Sequence, residues 1–304
     1  MLNRRNFIKN TAAIGLGSLA LPSLLNEKLF ANSYKVKSVG LQLFTFFPKF
    51  DNDVAGNLKK IADAGYKEIE SAFSVKGGFY GMTAKEFSKM VKDNGMTWKS
   101  HHTIGAPFKP PKDFDMSKMP KMPKMLNLRE NTQEILDGVG EGGVKYVVCS
   151  SIPITTGAEV KEAVTILSKA GEAAKKSGFT FCYHNHDKEF ALVDGEKPYD
   201  VFLSQVSADV MKFELDLAWA TKAGINPVDL FKKYPNRFPL WHVKDIDKEF
   251  KNVLPVGDGV VDFKNIFANA KLAGMKHFFV EHDMPKDALA SITTSINYLK
   301  KNIK

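Results

Sequence analysis

AEVKEAVTILSKAGEAAKKSGFTFCYHNHDKE, residues 158–189, carries the plan of the whole chain. Its first twenty residues are Ala-rich, with apolar side chains at helical spacing, and predict an amphipathic helix over 158–177. Gly178 then ends the helix, because glycine alone enters the left-handed conformation with no Cβ penalty. A short β-rich run, 180–184, follows at once and stops in a cluster of imidazole and carboxylate groups.

The same junction recurs at Gly65-Tyr66, Gly95-Met96, Gly143-Val144 and Gly274-Met275. Strands are expected at 38–43, 68–71, 97–101, 145–150, 180–184, 211–215, 240–243 and 277–281. Helices are expected at 54–64, 84–94, 126–141, 158–177, 228–234, 263–273 and 288–301. Eight strands with eight crossovers predict an α/β chain folded as a (β/α)8 TIM barrel. An open doubly wound sheet would show a Gly-rich phosphate loop after its first strand, and here Thr45-Phe46-Phe47-Pro48 stands there instead. The connection 103–125 carries five prolines and reads as a lid or rim loop, or as plain surface.

The chain has 304 residues, is 44% hydrophobic and 25% charged, and carries a formal charge of +9. Those proportions exclude a membrane bundle and a disordered chain. Two cysteines, Cys149 and Cys182, are too few for a disulfide scaffold and read as small buried apolar residues. Part of the charge belongs to a leader. Arg4-Arg5 precedes an uncharged, Ala/Gly/Leu-rich run at 10–26, the pattern of a twin-arginine export signal. The run falls short of the ~20 residues of a membrane span. Residues 1–32 are therefore expected to be a signal cleaved after Ala31, with 33–304 a single catalytic barrel working in the periplasm. Setting aside Arg4, Arg5, Lys9, Lys28 and Glu27 leaves 39 basic and 33 acidic residues, or +6. That excess is scattered lysine, which suits a solvated surface and argues against a nucleic-acid partner.

In a barrel the C-terminal strand ends share one cleft. Six of the seven histidines fall in those short segments, together with Glu70, Glu189, Glu214, Asp216, Asp245, Glu281 and Asp283. Asp216, His242 and Glu281 come from three consecutive strands and are expected to converge on one divalent metal ion. Mixed nitrogen and carboxylate ligation suits Mn²⁺, Zn²⁺ or Co²⁺ better than Mg²⁺. Such an ion, held against two sugar oxygens, stabilises the charge left when a carbon-bound proton departs.

Four segments carry a resemblance: 183–190, 241–245, 257–263 (Gly-Asp-Gly-Val-Val-Asp-Phe) and 279–283. They resemble the sugar phosphate isomerase/epimerase family of the xylose isomerase-like barrels, a superfamily that also holds inosose dehydratases, ketose 3-epimerases and endonuclease IV. The resemblance runs from about Val36 to Tyr298. It implies a Glu, an Asp, a His and a Glu on strands five to eight around one metal, and Asp216, His242 and Glu281 match the last three. The first is replaced by His184, which is left as a candidate ligand. Ketose epimerases work with two glutamates, one on each face of the sugar carbon, so this departure weakens simple two-base epimerisation. His186 or Glu189 then becomes the candidate acid or base. Trp219 stands where several relatives carry a histidine that touches substrate, and offers a stacking face instead.

The remaining strand-end residues divide by role. Glu70 and Glu281 are candidate catalytic carboxylates, and Gln42 a candidate hydroxyl ligand. Either His102 or His101 is expected to face the cleft, since alternation along a strand admits one of the two. Lys244 is expected to hold a substrate oxygen or offset negative charge, with a salt bridge near Asp245 as the plain structural alternative. Export, and Asp258 between Gly257 and Gly259, argue against a phosphorylated substrate. The reading is a metal-dependent isomerase or epimerase for an unphosphorylated sugar, keto-sugar or cyclitol. A lyase eliminating across a 3-keto-glycoside is the alternative, ahead of an endonuclease IV-like nuclease and a non-catalytic sugar-binding barrel. Relatives are often dimers or tetramers, which leaves a homo-oligomer open.

Overall fold

The computed structural model describes residues 38–107, 123 and 125–303. The expected export signal and most of the proline-rich connection lie outside them. The barrel strands are β1 (Gly40–Gln42), β2 (Glu68–Ser71), β3 (Thr97–Ile104), β4 (Tyr146–Ser151), β5 (Thr180–His184), β6 (Lys212–Asp216), β7 (Leu240–Val243) and β10 (His277–Val280). All pair in parallel and close in the order β1-β10-β7-β6-β5-β4-β3-β2. This is the expected (β/α)8 barrel. Two short strands, β8 (Asp245–Ile246) and β9 (Val253–Leu254), add an antiparallel hairpin after β7. Among the described residues no helix is long and apolar enough to cross a membrane.

The glycine junctions do what their chemistry allows. Gly65, Gly95, Gly143, Gly178 and Gly274 all have φ between +69° and +104°. Helix starts are equally local: Asp53, Thr83, Asn127 and Thr156 accept from backbone N–H groups of the first turns of helices Val54–Ala64, Ala84–Asp93, Leu128–Glu141 and Gly157–Lys176. The predicted helix 263–273 breaks in two at Asn269.

Period-2 alternation sorts the strand residues into a helix-facing shell and layers inside the barrel. Val148, Cys182, Leu240 and Phe279 are all fully buried and plug the middle of the barrel. Gly40 completes that layer, since a Cβ there would stand 2.5 Å from the Phe279 ring. Cys149 pairs with Tyr183 while Val148 pairs with Cys182, so the two thiols face opposite sides of the sheet and remain free. Below the plug, His277 Nδ1 lies 2.8 Å from Glu68 Oε2. Above it the interior turns polar.

Candidate metal centre

Two residues beyond Cys182, Leu240 and Phe279 stand His184, His242 and Glu281, joined by Glu70, His102 and Glu214 from β2, β3 and β6, with Asp216 and Lys244 a step higher on β6 and after β7. Glu70, Glu214, Asp216 and His242 have no exposed surface. One donor atom each from Asp216, His242 and Glu281 lies within 4.8 Å of the other two. His242 Nδ1 is 2.8 Å from Glu281 Oε2 and 3.9 Å from Asp216 Oδ2. Its Nε2 faces the other way, 2.6 Å from Glu70 Oε1. Lys244 Nζ completes the arrangement at 2.7 Å from Glu281, 2.9 Å from Asp283 and 3.2 Å from Asp216. These carboxylates, and not Asp245, are its partners.

The electrostatics follow from buried charge. Burial opposes ionisation of Glu281, but Lys244 and His242 outweigh it and hold the carboxyl below its ordinary range. Glu70 is held low in the same way by His102 and His242. Burial raises Asp216 to about 6, with Lys244 and His242 pulling against it. Burial and the neighbouring Glu70 raise Glu214 to about 7. Burial disfavours a charged His102, yet Glu70 and Glu214 raise it to about 9. Burial lowers His184, helped by His242 and His186, so its ring is neutral and keeps a lone pair. Burial and Lys244 push His186 down to about 3, so its ring is neutral. Burial opposes charge on Lys244, but Asp216, Glu281 and Asp283 prevail and fix it as an ammonium.

Does this site fit a divalent cation? Asp216 Oδ2 is buried without hydrogen-bonding geometry to any donor, although the Lys244 ammonium is 3.2 Å away. Four carboxylates at most 5% exposed, Glu70, Glu214, Asp216 and Glu281, gather around one lysine and the imidazoles of His102 and His242, and buried charge persists only where it is paired. Two carboxylates and an imidazole form the mixed donor set of Zn²⁺, Mn²⁺ or Co²⁺. The residues fit.

A cavity of about 500 Å³ opens above the centre. His102, His184, His186, Lys188, Lys244, Glu281 and Asp283 line its polar side, and Phe44, Phe73, Phe79, Ile104 and Leu126 its apolar side. His101 lines it as well as His102. The alternation argument admitted only one, but the cavity spills over the barrel rim toward helix Leu128–Glu141, where the outer face of β3 is also accessible. His101 there sits 2.8 Å from Ser71 Oγ, against the Phe79 ring.

Three candidate substrate ligands are not brought to the cavity wall. Gln42 is buried, donating to Glu70 Oε1 at 2.8 Å and accepting from the Phe44 N–H at 3.1 Å. The Glu189 carboxylate accepts from the Tyr183 hydroxyl at 3.0 Å and the His186 N–H at 2.8 Å. Trp219 lies behind Lys244, with the Lys244 ammonium 5.2 Å from its ring centre. Glu214, named among the strand-end carboxylates but given no role from sequence, stands at the heart of the cluster. It lies on the same face of β6 as Asp216, two residues earlier, and period-2 counting from Asp216 leads to it.

The 257–263 motif has a different task from metal binding. The Asp245 carboxylate accepts from the N–H groups of Gly257, Gly259 and Val261 at 2.9, 3.0 and 3.1 Å. A Cβ on Gly259 would stand 2.3 Å from Asp245 Oδ1, so glycine is required for that approach. Asp262 then caps helix Phe263–Ala268.

A family profile described as the xylose isomerase-like TIM barrel matches residues 58–302. The chain belongs to that family. A solved sugar phosphate isomerase/epimerase from Parabacteroides distasonis is 29% identical with a TM-score of 0.72, covering 90% of this chain and 98% of that one. An inosose dehydratase from Lacticaseibacillus casei is 25% identical over 139 residues, 40% of this chain and 46% of the relative, so the chain matches under half of that protein's length. The IOLI protein, solved with a zinc atom, shares the fold at 15% identity and a TM-score of 0.64, covering 88% of this chain and 98% of that one.

Proposed function

We propose that this chain is a divalent-metal-dependent enzyme that removes a carbon-bound proton beside a carbonyl or hydroxyl of an unphosphorylated sugar, keto-sugar or cyclitol. The observation that carries the reading is the convergence of Asp216, His242 and Glu281 beside a cavity of sugar size, with Glu281 in its wall. When bound, the ion supplies a Lewis acid that polarises the substrate oxygen. Glu281, ionised and at the cavity wall, is placed to take the proton. Lys244 keeps a permanent positive charge 2.7 Å from Glu281 and offsets negative charge developing on the substrate. His102, held protonated by Glu70 and Glu214 while its ring carries no ion, is placed to donate.

One carboxylate base with cationic donors is an asymmetric device. His184 on β5 in place of a carboxylate favours elimination, which needs one base and one acid, and the partial likeness to inosose dehydratases supports it. Isomerisation or epimerisation is the second reading, favoured by the likeness to the P. distasonis protein over most of both chains. The leader pattern at residues 1–32 supports export to the periplasm, where phosphorylated sugars are scarce. Asp245 supports an unphosphorylated substrate, because it fills the N–H cluster of the 257–261 loop with the chain's own anion.

The test is a panel of keto-sugars, inososes and 3-keto-glycosides, with Mn²⁺, Co²⁺ and Zn²⁺ added separately. An unsaturated product marks elimination and a new stereoisomer marks epimerisation. Stoichiometric metal with no turnover on any member, or activity untouched by Asp216→Ala and Glu281→Ala, overturns the reading.

A further inference from the structure

Beneath the Asp216–His242–Glu281 trio, three imidazole nitrogens close on a single carboxylate oxygen. Glu214 Oε2 lies 2.6 Å from His102 Nε2, 3.2 Å from His184 Nδ1 and 3.1 Å from His242 Nε2. The three rings form a triangle with centroid separations of 5.1, 5.1 and 4.4 Å. His102 and His184 hydrogen-bond that oxygen and use its two in-plane lone pairs, while His242 Nε2 hydrogen-bonds Glu70 Oε1 and is still crowded against Glu214 Oε2. Yet its twin, Glu214 Oε1, is buried without a partner, and so is the neighbouring Glu70 Oε2. Hydrogen bonding alone would share the donors between the two oxygens.

A cation explains the crowding. Four ligands at about 2.0–2.1 Å from a tetrahedral ion stand roughly 3.3 Å from one another. Two of the three spacings to Glu214 Oε2, 3.1 and 3.2 Å, are close to that value. The third, 2.6 Å to His102, has to open by about 0.7 Å to admit the ion. The four donor atoms all lie within 4.8 Å of one another. We infer that His102, His184, Glu214 and His242 form a second divalent metal site, nitrogen-rich and of zinc type, below the trio. Glu70 Oε1, 2.6 Å from His242 Nε2, 3.1 Å from His102 Nε2 and held by Gln42, is a further carboxylate oxygen beside the same nitrogens. His102 and His184 line the cavity and give an ion its way in.

His242 belongs to both sites, through Nε2 below and Nδ1 above. A neutral imidazole has one nitrogen lone pair, so the two sites fill together only if the ring loses its remaining proton. Otherwise they are alternatives, with zinc or cobalt drawn to the three nitrogens and manganese to the two carboxylates.

The inference does not rest on the proposed reaction, and its test reads metal rather than turnover. Asp216→Ala/Glu281→Ala removes the upper site and leaves the lower one intact. This variant is expected to retain one equivalent of zinc, and with cobalt to show the intense visible bands of a four-coordinate ion. His102→Gln/Glu214→Gln in the otherwise intact chain is expected to weaken zinc by at least about 100-fold, the upper end of what losing a mere outer-shell partner costs, while manganese binding persists. A folded Asp216→Ala/Glu281→Ala protein that binds no zinc overturns the inference. If that variant does not fold, zinc affinity unchanged by His102→Gln/Glu214→Gln overturns it equally.

Discussion

Lys244 Nζ stands 2.7 Å from Glu281 Oε2, so an ammonium and the proposed metal share one carboxylate. Removing Lys244 therefore has two opposite effects. Lys244→Met leaves Asp216, Glu281 and Asp283 without their counter-charge and is expected to destabilise the metal-free protein by about 3–5 kcal/mol. It also removes a competing cation, so manganese affinity is expected to rise. Thermal melts with and without Mn²⁺ check both, and a variant as stable as wild type without metal denies the pairing.

Asp245 closes the 257–261 loop by accepting three backbone N–H groups. Asp245→Ala orphans those donors, and Gly259→Ala drives a methyl into the carboxylate. Each change is expected to cost about 2–3 kcal/mol, lowering the thermal midpoint by roughly 5–10 °C. Inorganic phosphate is expected to leave the wild-type midpoint unchanged, because the loop already holds an anion.

Burial lifts Asp216 to about 6 and Glu214 to about 7, above the ordinary carboxylate values of about 4. A raised carboxylate pKa means that charging these groups costs folded-state stability as pH climbs through 4 to 7. Metal binding requires the charged form and reverses that loss. The rise in melting temperature on adding metal is therefore expected to be large at pH 8 and nearly absent at pH 5. Equal increments at both pH values contradict the assignment.

The paired arginines at 4 and 5 make localisation testable. Arg4→Lys/Arg5→Lys is expected to retain the full chain in the cytoplasm, while the wild-type chain appears in the periplasm with Asn32 as its first residue. Fractionation and intact mass read this directly.

The barrel was legible in the sequence because five of the eight strands are short apolar runs that follow a glycine in the left-handed conformation other residues avoid, as at Gly178 and Gly274. The β8–β9 hairpin was not, since two-residue strands carry no period. Asp216, His242 and Glu281 were readable from position on the strands alone. Glu214 was visible as a strand-end carboxylate, but its place among three imidazoles was not, since that depends on which side chains β3, β5 and β7 bring to its level. Gln42 and Glu189 were placed at the right height but turn their polar atoms to protein partners, and orientation of that kind is fixed by packing.

Proton abstraction at the Asp216–His242–Glu281 centre is read out by NMR in D₂O, following the proton on the carbon beside the carbonyl while metal-loaded protein turns over a keto-sugar or inosose. With wild type that proton is expected to be lost, replaced by deuterium in a stereoisomeric product or missing from an unsaturated one, and to be retained with Glu281→Gln protein that still binds metal. Turnover that leaves the proton on its carbon, or loss undiminished by Glu281→Gln, would overturn the role of Glu281.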